Sequence, residues 1–429
     1  TQVIDIELPP IVRLERQAGG TAAIEEAAKL LSNAKFPVIL SGAGVVIGGA
    51  IQDCVKLAEK LDSPVCSGYQ HNDSFPGSHP LAVGPLGYNG SKAAMELIAK
   101  ADVVLALGTR LNPFSTLPGY GIDYWPKNAK IIQVDMNSDR IGLTKKVTVG
   151  ICGDAKLVSQ QIFSKLSAKA GDTDRQKRKD LIHQTKSAWL QKLSSLDHED
   201  DDPGTVWNKE ARERDKDKMS PRQAWRAIQA AMPNDAIISS DIGNNCAIGN
   251  AYPTFEKPRK YLAPGLFGPC GYGFPSILGA KIGCPDTPVI GFAGDGAFGI
   301  SMNEMSSCAR EEWPAITMVI FRNYQWGAEK RNSILWFDDN FIGTELDPEL
   351  SYAKVANACG LKGVTVKTME ETTKAIKQSC EDQKKGITTF IEVILNQELG
   401  EPFRRDAMKK PVQIAGIKKE DMKPQKSLV

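Results

Sequence analysis

The chain has 429 residues, 41% hydrophobic and 24% charged, and its 53 Lys and Arg against 51 Asp and Glu leave a formal charge of +2. That length predicts two or three globular domains, and the near-neutral balance gives no electrostatic reason to expect a nucleic-acid or membrane-surface partner. The nine cysteines show no CxxC spacing, the four histidines form no ligand pattern, and no apolar run approaches the ~18–20 residues of a membrane helix; we expect free thiols in a reducing cytoplasm and no membrane partner.

The opening TQVIDIELPP lacks a basic region followed by an apolar one, so no signal peptide is expected. It also begins with Thr rather than Met, which processing or a start partway through a larger protein would explain. From residue 20 the pattern alternates. TAAIEEAAKLLSNA spaces apolar residues as a helix does, and FPVILSGAG is a short apolar run ending in glycines, the reading of a buried parallel strand. AIQDCVKLAEKLD, SPVCSG, SKAAMELIAKA, DVVLALGTRL and AKIIQVDMN continue the alternation. We assign residues 1–165 to an α/β domain with a doubly wound, mostly parallel sheet. Gly42, Gly44 and Gly48 follow a strand, but their spacing is not GxGxxG, so a plain strand–helix turn is the better reading and neither flavin nor nicotinamide is expected.

Residues 166–219 are charged and poor in apolar side chains, as in DRQKRKD and KEARERDKDKM; we read a helical linker with solvated faces. Ser220 before Pro221 looks like an N-cap followed by proline at the first helical position, and it opens a second α/β domain over 220–397. Its strand candidates are AIISSDIG, TPVIGFAGDG, AITMVIFRN and TTFIEVIL. The tail, 398–429, is polar and Lys-rich. The fold class is therefore two doubly wound, mostly parallel-sheet domains joined by a charged linker.

One constellation carries chemistry. Asp295 ends a strand between Gly294 and Gly296, a helix-like segment follows, and Asn323 ends the next strand. A strand, crossover helix and parallel strand take roughly 30 residues, so Asp295 and Asn323 share the carboxyl edge of a sheet, where open α/β sheets bind ligands. A carboxylate, an amide oxygen and a backbone carbonyl are hard ligands suited to Mg²⁺ or Ca²⁺ completed by phosphate oxygens and water. The glycines let backbone N–H groups approach phosphate, and the following helix turns its positive end toward the anion.

GDGAFGISMNEMSSCAREEWPAITMVIFRN resembles the thiamine-diphosphate motif, in which GDG is followed about 25 residues later by Asn. The resemblance implies Mg²⁺ held by Asp295, Asn323 and the carbonyl of Gln325. Arg322 stands where many members have a first Asn. SSDIGNNCAIGN resembles the diphosphate loop, implying that Gly243, Asn244 and Asn245 lie near phosphate. GLFGPCGYGFPSILGAKIG resembles the segment gripping the aminopyrimidine, implying Gly268 and Cys270 as cofactor contacts, with Cys270 where a bulky apolar residue is usual and a free thiol as its bland alternative. Gly294, Gly296 and Ala297 complete the cofactor set. SHPLAVGPLGYNG, ADVVLALGTRLNPF and AKIIQVDMNSDRIG look like the central domain of the acetolactate-synthase-like enzymes. His71 and His79 lie in a loop of turn formers, and we read His79–Pro80 as structural.

The family's pyrimidine-binding domain, which carries the glutamate that activates the cofactor, has no counterpart here. We therefore expect a carboxyl-terminal portion of a longer enzyme and assign no activating Glu. FRNYQWGAEKRNSILWFDDNFIGTEL and EPFRRDAMKKPV are most similar to the sulfoacetaldehyde acetyltransferases of the family. The implied reaction takes sulfoacetaldehyde and phosphate to acetyl phosphate and sulfite. Both partners are small anions, so Lys330, Arg331, Arg404 and Arg405 are substrate candidates, with a solvated basic face as the alternative. Trp326, Trp336 and Phe337 either wall the pocket or belong to the core. An acetolactate-synthase-like carboligase, a 2-oxo-acid decarboxylase and an inert cofactor-binding fragment stay open. The resemblance also implies a homodimer or homotetramer.

Overall fold

A computed structural model describes residues 15–167, 173–197, 213–265, 267–336 and 340–399. The first sheet contains β1 (Pro37–Ser41), β2 (Val65–Ser67), β3 (Ala82–Pro85), β4 (Val103–Leu107), β5 (Lys130–Asp135) and β6 (Val149–Cys152), in the order β3-β2-β1-β4-β5-β6 and parallel throughout. Every residue of β1 and β4 is buried, because helices cover both faces of such a sheet and leave no polar side. The helix Ile51–Leu61 shows how they cover it. Ile51, Cys54, Leu57, Ala58 and Leu61 form its buried stripe, and Asp62 ends it in the left-handed region at φ 47°.

The second sheet contains β7 (Ile237–Ser240), β8 (Tyr261–Leu262), β9 (Val289–Gly294), β10 (Thr317–Arg322), β11 (Lys362–Val366) and β12 (Thr389–Ile394), in the order β11-β12-β10-β9-β7-β8 and again parallel. Side chains alternate between two cores. Ile290, Phe292, Val319 and Phe321 face one side, while Val289, Ala293, Met318 and Ile320 face the other. The helix Pro221–Ala231 opens this domain with the expected cap: Ser220 and Gln223 form a reciprocal capping box and Pro221 takes the first turn. Its Trp225 packs on Phe292 and Phe321, with ring centroids 4.7 and 5.4 Å away.

Between the sheets, Thr173–Ser195 is a helix of 23 residues. Its charged sequence reads as solvated, yet Arg178, Ile182, Trp189 and Leu193 are buried. Arg178 donates to the carbonyls of Asp62, Lys35 and Leu61 at 3.0, 2.7 and 2.9 Å, so a cation buries itself by capping the ends of two neighbouring segments.

The two domains are docked. Asn72 of the first donates to the carbonyls of Asn250 and Pro253 at 2.9 and 2.8 Å. The neighbouring Asp73 accepts from the backbone N–H of Lys260 and Tyr261. Among the described residues, no helix is long and apolar enough to cross a membrane.

Candidate cofactor and substrate site

Strands β7, β9 and β10 are neighbours, and their carboxyl ends sit side by side. From β7 the chain leaves toward β8 at the edge, and from β9 it leaves toward β10 on the opposite side. The departing loops part and open a crevice, the place where an open α/β sheet receives a ligand. Gly243–Asn245 follow β7, Asp295 follows β9, and Asn323 and Gln325 follow β10. Phe321 is paired with Gly294, so Asp295 and Asn323 stand at adjacent strand tips, as their spacing predicts.

Asp295 is fully buried. Its Oδ1 accepts from the Gly296 N–H at 3.0 Å, and its Oδ2 accepts from Arg322 Nη1 at 3.0 Å and the Tyr324 N–H at 2.7 Å. Burial pushes its pKa up to about 6, against the opposing pull of Arg322 and the two amides. Arg322 is equally buried, donates to the carbonyls of Asp347 and Leu350, and has its Nε 3.8 Å from Glu392. This partnership was missed in the sequence. A signal for it existed: a cation ending the otherwise apolar strand TMVIFR must find a buried counter-charge.

Asn323 and Gln325 are both nearly inaccessible. Gln325 Nε2 donates to the Gln397 carbonyl at 3.1 Å, while its Oε1 has no hydrogen-bond partner among the described residues. Gly296 has a plain steric reason: a Cβ there would stand 2.7 Å from the Trp326 indole, which lies across it. Gly294 has open space around its Cα. Ala297 is buried in the core beneath the site.

In the β7 loop, Gly243 adopts φ 134°, a conformation closed to most L side chains. Asn244 and Asn245 are buried, and Asn244 Nδ2 and Asn245 Oδ1 have no hydrogen-bond partner among the described residues. The Asn245 carbonyl accepts from Trp225 Nε1 at 2.7 Å. The helices that follow these loops, Asn244–Ile248 and Asp295–Ser301, are only 5 and 7 residues long. Each runs on into a 3₁₀ turn, Gly249–Ala251 and Met302–Glu304, so helical N–H groups begin at the tips of this sheet as the sequence reading expects. Gly268 turns at φ 69°. Cys270 is half-buried against the lower core rather than enclosed, and burial raises its thiol pKa.

Asp241 is a second group that the sequence reading passed over. Its carboxylate accepts from the N–H groups of Ile242, Gly271 and Gly273 at 2.7, 3.1 and 2.7 Å. It ties the turn after Gly268 and Cys270 to the end of β7. Burial raises its pKa against these three amides.

A cavity of about 610 Å³ runs from this edge to the first domain, lined among others by Tyr88, Arg110, Arg140, Gly243, Asn244 and Arg331. Arg110 donates to the Gly265 carbonyl at 2.6 Å. Partial burial, and then the neighbouring Arg140, lower its pKa: two cations face one space. Both also line a 480 Å³ cavity at the carboxyl edge of the first sheet, beside Gly44, Gly48 and His71. Burial and then Arg110 push His71 down to about 4, so its imidazole is neutral. His79 packs edge-on against Phe75.

The basic candidates separate. Lys330 pairs with the exposed carboxylate of Glu345 at 2.5 Å. Arg331 is buried and donates to Tyr88 Oη and the Leu399 carbonyl. Arg404, Arg405, Phe337 and the side chain of Trp336 lie outside the described residues. Among the described residues no group of three or more His, Cys, Asp or Glu is placed to hold a metal. A cation here would rely on one carboxylate, amide and carbonyl oxygens, and an anionic ligand.

Comparison with known proteins gives the family. Residues 24–162 match the family model described as thiamine pyrophosphate enzyme, central domain, and residues 241–393 match its C-terminal TPP binding domain. The chain is 77% identical over 428 residues to a probable sulfoacetaldehyde acetyltransferase of Rhizobium meliloti, covering 100% of this chain and 72% of that protein. It is 72% identical over 425 residues to the sulfoacetaldehyde acetyltransferase of Roseovarius nubinhibens, covering 99% and 70%. A probable acetolactate synthase large subunit of Methanocaldococcus jannaschii is more distant, at 30% over 385 residues, covering 88% and 62%.

Proposed function

The chain belongs to the thiamine pyrophosphate enzymes, and from that premise we propose that it is a sulfoacetaldehyde acetyltransferase, taking sulfoacetaldehyde and phosphate to acetyl phosphate and sulfite. The observation that carries this reading is the extent of the likeness: proteins of that name match 99–100% of the chain at 72–77% identity. The unpaired polar atoms support the cofactor. Asn244 Nδ2 offers a donor to a diphosphate, and Gln325 Oε1 shows a hard oxygen still without a partner at the same edge. Asp295 Oδ1, engaged by one amide, leaves lone pairs for a cation.

In this reading Mg²⁺ is held by Asp295, Asn323 and the Gln325 carbonyl, and the diphosphate by Gly243, Asn244 and Asn245. Gly268 and Cys270, on the segment that Asp241 anchors, face the ring system. Gly294, Gly296 and Ala297 set the floor. Thiamine diphosphate, when bound, supplies the carbon nucleophile and the electron sink for the C–S cleavage. The chain's own cationic side chains along the cavity orient two anions. Arg331, with its nitrogens committed to Tyr88 and Leu399, contributes charge from the wall. Arg110 and Arg140 face the cavity and are better placed to meet a sulfonate or phosphate than Lys330 at its ion pair. We further propose a homodimer or homotetramer and, from nine unpaired thiols, a cytoplasmic location.

The test supplies the full-length protein with sulfoacetaldehyde, phosphate, thiamine diphosphate and Mg²⁺. Sulfite and acetyl phosphate should appear in equal amounts. Release of CO₂ from pyruvate, with no sulfite from sulfoacetaldehyde, would replace this reading with a decarboxylase or carboligase.

A further inference from the structure

We infer that Tyr88, a residue of the first domain, is a positioning residue that fixes the orientation of the Asn244 amide for a diphosphate held by the second domain. The inference rests on the cofactor reading above. Tyr88 lies in the loop after β3, and its Oη donates to Asn244 Oδ1 at 2.8 Å. Arg331 Nη1 donates to the same Oη, and the guanidinium carbon lies 5.2 Å from the Tyr88 ring centre. A guanidinium has no acceptor, so Tyr88 must accept from Arg331 and spend its single proton on Asn244.

That proton selects one of the two amide orientations of Asn244. With the oxygen toward Tyr88, the NH₂ group turns away, into the space beside Gly327. There a Cβ on Gly327 would stand 3.3 Å from Nδ2. Nδ2 is buried and has no hydrogen-bond partner among the described residues. A buried donor held in one orientation without an acceptor points to a ligand that brings one. Without Tyr88 the amide is free to flip, and it would present oxygen to an anion in part of the population. The relay Arg331–Tyr88–Asn244 also crosses the domain joint, so the first domain sets the affinity of the second for diphosphate.

The experiment titrates the cofactor-free protein with thiamine diphosphate at fixed Mg²⁺, reading tryptophan fluorescence, for wild type, Tyr88→Phe, Asn244→Ala and the double variant. Tyr88→Phe should raise the dissociation constant about tenfold in the wild-type background, and less than twofold in the Asn244→Ala background. The cofactor-free melting temperature of Tyr88→Phe should stay close to that of wild type, which a loss of folding would not allow. A dissociation constant within twofold of wild type, or an equal loss in both backgrounds, overturns the inference alone. A wild-type protein without affinity for thiamine diphosphate overturns the cofactor reading and the inference with it.

Discussion

Arg322 gives the site much of its character at the scale of single residues. It holds one oxygen of Asp295 and lies beside Glu392, all three buried, so one guanidinium offsets two carboxylates. Arg322→Met would leave both acids buried and uncompensated. Removing one member of such a group costs about 3–5 kcal/mol. Denaturant unfolding should show a loss of that size, and a loss under ~1 kcal/mol would mean that the pairing is weak. Gly296 makes the opposite kind of demand. Helix propensity favours Ala there by about 1 kcal/mol, but the new Cβ would meet the Trp326 ring at 2.7 Å. We expect Gly296→Ala to shift the tryptophan emission and weaken cofactor binding about tenfold, roughly 1.4 kcal/mol. A neutral or stabilising substitution would show that the indole moves freely. The sequence made Asp295 and Asn323 legible because two glycines and a fixed spacing mark them. Arg322 and Asp241 stayed hidden because their partners are backbone and side-chain groups from other segments.

Helices and strands show where pattern reading stops. The interior strands β1, β4, β9, β10 and β12 were readable because both faces are covered and their sequences are nearly unbroken apolar runs. The sheet edges β3, β6, β8 and β11 were not, since an edge strand is short or half exposed; β6 alternates buried and exposed and β8 has two residues. The helix Thr173–Ser195 hid its buried stripe under charge. It is pinned by Asp62, which meets Arg175 and, at 3.1 Å, Lys179. Burial raises the Asp62 pKa, but the bonds and charges of Arg175 and Lys179 outweigh it and hold the carboxyl below its ordinary value of 3.8. A depressed carboxylate adds stability above its unfolded pKa and loses it as pH falls through the lower, folded value. The helix should therefore stay docked at neutral pH and loosen below about pH 4. Asp62→Asn keeps a residue tolerant of the left-handed turn and removes the charge. Hydrogen exchange over 173–195 should rise at pH 7 with a stability loss of about 1–3 kcal/mol, and unchanged exchange would refute the pin.

Across the whole molecule, the order of domains was legible and their joint was not. Tyr88, Arg110 and Arg140 belong to the first domain yet share one cavity with Gly243, Asn244 and Arg331 of the second, and nothing in a linear pattern brings them together. The joint depends on Asn72 and Asp73, whose side chains serve backbone groups of the other domain. Asp73→Ala should leave two N–H groups without their acceptor and cost about 1–3 kcal/mol. We expect the calorimetric unfolding transition of the variant to be broader than that of wild type, or split, and a sharp unshifted transition would place the coupling elsewhere. The central claim is that a cation clamped at the tips of β9 and β10 tethers the cofactor's diphosphate. Calorimetric titration of thiamine diphosphate, with and without Mg²⁺, into wild type and Asp295→Asn tests it most directly. The account predicts tight binding only for wild type with Mg²⁺, and at least a hundredfold loss, about 2.7 kcal/mol, for the variant; equal affinity in both proteins would contradict it.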